Sequence, residues 1–137
     1  MYYATKYLRL SYTSDRANES DSIANQRKYI DEFVKRNPDI KIINEQVDDG
    51  YSGIVFDRPA FKAMLEDIKS GKINCIIVKD LSRLGREYNE TFTYLRRVFP
   101  ALGVRFIAIN DNIDTAKEAV TGDISVSFKG VMNDEYC

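Results

Sequence analysis

The 137-residue chain is 44% apolar, enough for one compact domain with its own core. It contains no histidine, which excludes a Ser-His-Asp triad, a Cys-His pair and any histidine-built zinc site. With 20 basic and 21 acidic residues the net charge is -1, so tight DNA binding by bulk electrostatics is not expected of this chain alone.

Residues 2–11 read as a strand, rich in Tyr and Leu and free of Gly and Pro. Lys6 and Arg9 interrupt its apolar run, so nothing here resembles a signal peptide, and no stretch approaches the roughly 20 apolar residues of a membrane span. A cytoplasmic location is expected. Residues 13–21 are polar and turn-like. A helix is predicted over 22–35, with Ile23, Ile30, Phe33 and Val34 at helical spacing, and Asn37-Pro38-Asp39 stops it. Residues 40–47 read as a second strand.

Asp48-Asp49-Gly50-Tyr51-Ser52-Gly53 reads as a glycine-rich loop. Pro59 suits the first turn of a helix capped near Asp57 or Arg58, with Phe61, Met64, Leu65 and Ile68 on one face and Gly71 at its end. Residues 74–79 contain Cys-Ile-Ile-Val, a run expected of a central strand covered on both faces. Cys75 is therefore expected in the core, and with Cys137 it makes neither a disulfide framework nor a metal motif.

After Asp80-Leu81-Ser82-Arg83-Leu84-Gly85-Arg86 a helix is expected to run to about Phe99, with Tyr88, Phe92, Leu95 and Phe99 as its buried stripe and Pro100 beyond its end. Residues 104–109 form another strand. A polar turn with Asn110, Asp111 and Asn112 leads to a last helical segment from about Val120. It reaches Cys137 with apolar residues still to cover, as expected of a piece cut from a longer protein. Strands alternate with helices throughout. The fold class is therefore α/β, one domain with a mainly parallel central sheet of four to five strands and helices on both faces.

Chemistry concentrates at strand and loop ends. Tyr7, Arg9 and Ser11 alternate on the first strand and share one face. An arginine among core-type Tyr and Leu, two residues from a terminal serine, is unusual, although a solvated edge position gives the same pattern. Arg83 and Arg86 are three apart, which on one helix puts both guanidiniums on one side near helix-start N–H groups that favour an anion. A surface pair reads the same way. Arg58, between Asp57 and Pro59, reads by default as a surface salt bridge. Taken as a set, one serine and four arginines describe a hydroxyl that attacks a phosphodiester while guanidiniums neutralise the transition state. No acidic metal pair and no Gly-Lys-Ser/Thr nucleotide loop is present.

These residues resemble the resolvase/invertase family of serine recombinases over essentially the whole chain. Tyr7-Leu8-Arg9-Leu10-Ser11 is similar to the family's nucleophile strand, and Ser22-Ile23-Ala24-Asn25-Gln26-Arg27 to the start of its first helix, where a Gln lies near the active site. Asp49-Gly50-Tyr51-Ser52-Gly53 with Asp57-Arg58-Pro59-Ala60-Phe61 resembles the loop bearing another active-site arginine. Asp80 to Arg86 resembles the second arginine block, in the form found in large serine recombinases of mobile elements. The resemblance implies Ser11 as the nucleophile of a 5′-phosphoserine link with a free 3′-OH. Arg9, Arg58, Arg83 and Arg86 are the implied catalytic arginines, with Tyr7 and Gln26 in support.

It further implies strand exchange and religation without metal, nucleotide or other cofactor, as part of excision or integration of a mobile element. The implied partners are DNA and further copies of the chain, a dimer becoming a tetramer on DNA. The family's long C-terminal oligomerisation helix would begin at 120–137, with the DNA-binding region absent. Small resolvases carry an Asp where this chain has Ser82. Asp80, two residues earlier, is expected to point elsewhere on a helix, so that residue's acid/base role is not transferred.

Two other readings compete. A non-catalytic assembly module would need none of the Ser and Arg set, and a small-molecule phosphate-ester enzyme would need a deep, apolar-walled pocket.

Overall fold

The structure, a computed structural model, describes residues 1–10, 22–50, 57–85 and 87–117. Among these residues, five strands form one sheet in the order β2-β1-β3-β4-β5. β1 (Tyr2–Leu10) lies parallel to both β2 (Ile40–Asp49) and β3 (Cys75–Val78), and β3 lies parallel to β4 (Arg105–Ala108). Among the described residues only β5 (Ile113–Asp114) runs antiparallel, beside β4. The mainly parallel α/β class is therefore as expected, and the two-residue β5 is an addition too short to carry a pattern of its own.

Alternation along the strands divides the core in two. Ala4, Leu8, Cys75, Ile77 and Ile107 pack on one face with Ile30 of α1 (Ile23–Lys35). Tyr7, Ile76, Val78, Phe106 and Ala108 point to the other face. They meet Phe61, Met64 and Ile68 of α2 (Pro59–Lys69) and the helices that follow β3. All four residues of β3 are buried, as a strand covered on both faces requires. Burial also pushes the Cys75 thiol up to about 12, leaving it an inert core group.

Helix ends follow local chemistry. Ser22 caps α1 by accepting from Asn25 N at 3.0 Å. Gly71 and Gly103 take positive φ of 82° and 71° just past their helices, where a side chain would be strained.

Three expected boundaries shift. β2 continues through Asp48 and Asp49, paired with Arg9 and Leu10, so these two residues belong to a strand and not to the loop. After β3, the chain makes a single helical turn, α3 (Leu81–Leu84), and then Gly85 extends (φ 174°, ψ 160°). A new helix follows: α4 (Tyr88–Thr93), a π-helical turn (Tyr94–Val98) and α5 (Phe99–Ala101). Pro100 thus lies inside the helix. A proline ring clashes with the carbonyl four residues back, here Arg96, and the widened turn, in which Phe99 N bonds Tyr94 O, relieves that crowding. The segment expected from Val120 lies outside the described residues.

At the end of the sheet where β4 begins, Arg105 grips Asp114 with two bonds of 2.9 and 2.7 Å and stacks over the Tyr2 ring. Among the described residues no helix is long and apolar enough to cross a membrane.

Candidate active site

The site forms where β1 runs past the end of β3. β3 pairs with β1 only at Ala4 to Lys6, so the main chain of Arg9 has lost its strand neighbour on that side. Gln26 of α1 takes the strand's place. Its Oε1 accepts from Arg9 N at 3.3 Å and its Nε2 donates to Arg9 O at 3.0 Å. Arg83 Nη1 donates to the same carbonyl at 3.2 Å.

Three of the four expected arginines meet here. Arg9, Arg58 and Arg83 are 0%, 1% and 2% exposed. Arg9 donates from Nε to Arg83 O at 3.1 Å and from Nη2 to Ser82 O at 2.6 Å. Arg58 donates from Nη1 to Arg83 O at 3.3 Å and from Nη2 to Leu84 O. Two guanidiniums from distant segments therefore bind the same short run of carbonyls, 82–84, on the turn that carries the third. Arg58 is not in the surface salt bridge expected by default, because Asp57 turns to Lys62 and leaves the guanidinium in the interior. It lies 5.0 Å from the Phe61 ring centroid and 5.6 Å from that of Tyr7. Burial lowers its pKa from the ordinary arginine value, although arginine stays charged at any working pH.

Tyr7 connects this arginine to the carboxylate of Asp48, which lies on β2 and not in the loop. Its hydroxyl accepts from Arg58 Nη1 at 3.0 Å and donates to Asp48 Oδ2 at 2.8 Å. Burial raises the Tyr7 pKa well above the ordinary tyrosine value, so the hydroxyl keeps its proton. Asp48 also accepts from Ala60 N at 2.9 Å and Phe61 N at 3.0 Å, capping α2 from a neighbouring strand. A signal for it existed. The Arg58-Pro59 start offers no capping side chain, so the free N–H groups need an acceptor from elsewhere.

The second arginine block differs from expectation in two ways. α3 stops at Leu84 with Gly85 extended, so the turn that carries Arg83 is not the start of the long helix expected to follow this block. The start of α3 is also not an open anion site, because Leu81 N donates to Asp111 Oδ2 at 2.6 Å. Burial raises the Asp111 pKa, the Leu81 N–H opposes this, and the charge of Asp80 adds to it. Asp80 itself does not point away. Its carboxylate accepts from the Ser82 hydroxyl and lies 3.4 Å from Arg83 Nε. Ser11 and Arg86 lie outside the described residues.

Comparison with known proteins decides the family: the model of the resolvase N-terminal domain matches residues 4–137. The chain belongs to the resolvase family of serine recombinases.

Solved structures agree. A resolvase family site-specific recombinase from Streptococcus pneumoniae is 28% identical, with 99% of this chain and 89% of that one covered and a TM-score of 0.72. A serine recombinase from Sulfolobus solfataricus is 27% identical, covering 96% and 86%, with a TM-score of 0.61. The N-terminal catalytic domain of TP901-1 integrase is similar in fold, at 23% identity, 98% and 95% coverage and a TM-score of 0.76. No curated protein matches. This serine recombinase domain is thus the catalytic part of a site-specific recombinase, an enzyme that cleaves and rejoins DNA. The small-molecule and assembly-only readings fall with that membership.

Proposed function

We propose that Ser11 attacks a DNA phosphodiester and that Arg9, Arg58, Arg83 and Arg86 supply the opposing charge. The serine oxygen bonds phosphorus, the P–O3′ bond breaks, and the products are a 5′-phosphoserine and a free 3′-OH. Reversal by the 3′-OH of another strand reseals DNA. One phosphoester is exchanged for another at each step, so no nucleotide energy source is needed.

The supporting observation is the convergence of three buried guanidiniums, from residues up to 74 positions apart, at the end of the strand that leads into residue 11. Guanidiniums match phosphate oxygens in pairs and stabilise charge as it develops on them. In this state Arg9 and Arg58 hold carbonyls of 82–84 and Arg83 holds that of Arg9, so phosphate oxygens would replace those carbonyls when DNA enters. Tyr7 and Gln26 hold Arg58 and Arg9 respectively.

The same reading carries the finer assignments. The domain works in the cytoplasm as a dimer that becomes a tetramer on DNA, a further region of the protein supplies most of the grip, and the product is excision or integration of a mobile element. A trap tests the central step. The natural full-length polypeptide, mixed with a nicked or gapped copy of its site, should yield a covalent protein–DNA adduct that disappears in Ser11→Ala. An adduct of undiminished yield in that variant removes Ser11 from the role.

A further inference from the structure

We propose that Asp80 supplies the active-site carboxylate of this chain, as a positioning residue that holds the Arg83 guanidinium directly, with the Ser82 hydroxyl as a secondary contact. The proposal rests on the reading of Arg83 as part of the site.

Asp80 occupies the N-cap of α3 in extended conformation, φ -146° and ψ 164°. An aspartate there ordinarily accepts from main-chain N–H groups of the first turn. This one makes no such bond. The Leu81 N–H is taken by Asp111 and the Arg83 N–H by the Asp80 carbonyl at 3.1 Å. The Asp80 carboxylate is thereby released from capping, and both its oxygens face side chains: Oδ1 the Ser82 hydroxyl, Oδ2 the Arg83 guanidinium at 3.4 Å.

Two consequences follow from this geometry. First, the Ser82 hydroxyl touches the Asp80 carboxylate, so a carboxylate grown from position 82 would fall in nearly the same space. The acidic group is displaced by two residues along the chain but hardly at all in the site. Second, Arg83 is buried while the Asp80 side chain keeps 21% exposure, so the pair forms the wall of the turn with its acidic side toward solvent. Fixing Arg83 from outside also fixes the carbonyls that hold Arg9 and Arg58.

The test uses the natural full-length polypeptide with a gapped DNA site and reads the rate of covalent adduct formation. Asp80→Asn has nearly the same shape and keeps an acceptor for Ser82, so it is expected to fold. It should slow adduct formation by roughly tenfold or more, with site binding in a gel shift unchanged. The double variant D80N/S82D returns a carboxylate to the same space and should recover the rate to within about threefold of the parent. A structural defect at position 80 would not be repaired by a charge placed at 82. A parental rate in D80N, or a double variant as slow as D80N, overturns the proposal. An adduct that persists in Ser11→Ala overturns the nucleophile assignment, and this proposal with it, whatever D80N does.

Discussion

The side-chain amide of Gln26 pairs with the main chain of Arg9 as a neighbouring strand would, accepting from its N–H and donating to its C=O. Both groups are buried, and neither has a strand partner on that side once β3 has ended. Gln26→Leu removes both bonds at similar volume. Leaving a buried polar group unsatisfied costs about 1–3 kcal/mol, so the variant should lose about 2–4 kcal/mol in urea denaturation. Adduct formation should fall as well, because the backbone that aims Arg9 is no longer held. A variant with parental stability would show that water replaces the amide.

The arginines should matter individually. Arg9→Ala, Arg83→Ala and Arg86→Ala are each expected to slow DNA cleavage by ~10²-fold or more, as for loss of a group that stabilises transition-state charge. Arg83→Lys should not restore the rate, since an ammonium cannot reproduce the forked geometry. Ser82→Ala should cost far less. Any arginine whose removal leaves cleavage intact has no place in the site.

Asp48 serves three elements at once: it accepts from Tyr7 of β1, sits on β2, and caps α2. Asp48→Ala should therefore destabilise the domain by about 2–4 kcal/mol, combining a lost cap with an orphaned tyrosine hydroxyl. Tyr7→Phe removes one of these contacts and should cost nearer 1 kcal/mol. Equal losses in the two variants would show that the cap contributes nothing.

Acid sensitivity should trace in part to Glu45. Arg27 binds this carboxylate at 2.7 and 2.8 Å, and that contact, aided by Lys6, holds its pKa below the ordinary 4.5. A depressed carboxylate pKa stabilises the fold fully above the unfolded value, and the benefit is lost as pH falls through the folded one. Glu45→Gln should lower Tm at neutral pH, with the gap from the parent closing below about pH 4.5. A gap that stays constant down to pH ~3 would rule out the ionised pair as its source.

The regular elements could be read directly because their signals are local. Ile23, Ile30, Phe33 and Val34 repeat at helical spacing, and Cys75 to Val78 is apolar without interruption. Alternation alone put Tyr7 and Arg9 on one face. What escaped depends on partners distant in sequence. Arg58 looked like a surface residue because its neighbour Asp57 offered a salt bridge, whereas its real partners are Tyr7 and the carbonyls of 83 and 84. The capless Arg58-Pro59 start called for an acceptor from elsewhere, but Asp48, among turn residues eleven positions earlier, did not identify itself as that acceptor. The break at Gly85 overruled an unbroken helical pattern, and the crowding at Pro100 was absorbed by a wider turn instead of ending the helix.

Because Arg9 and Arg58 both hold the short peptide run that bears Arg83, the three charges are mechanically ganged. A small tilt of that one turn would move the anchors of all three together.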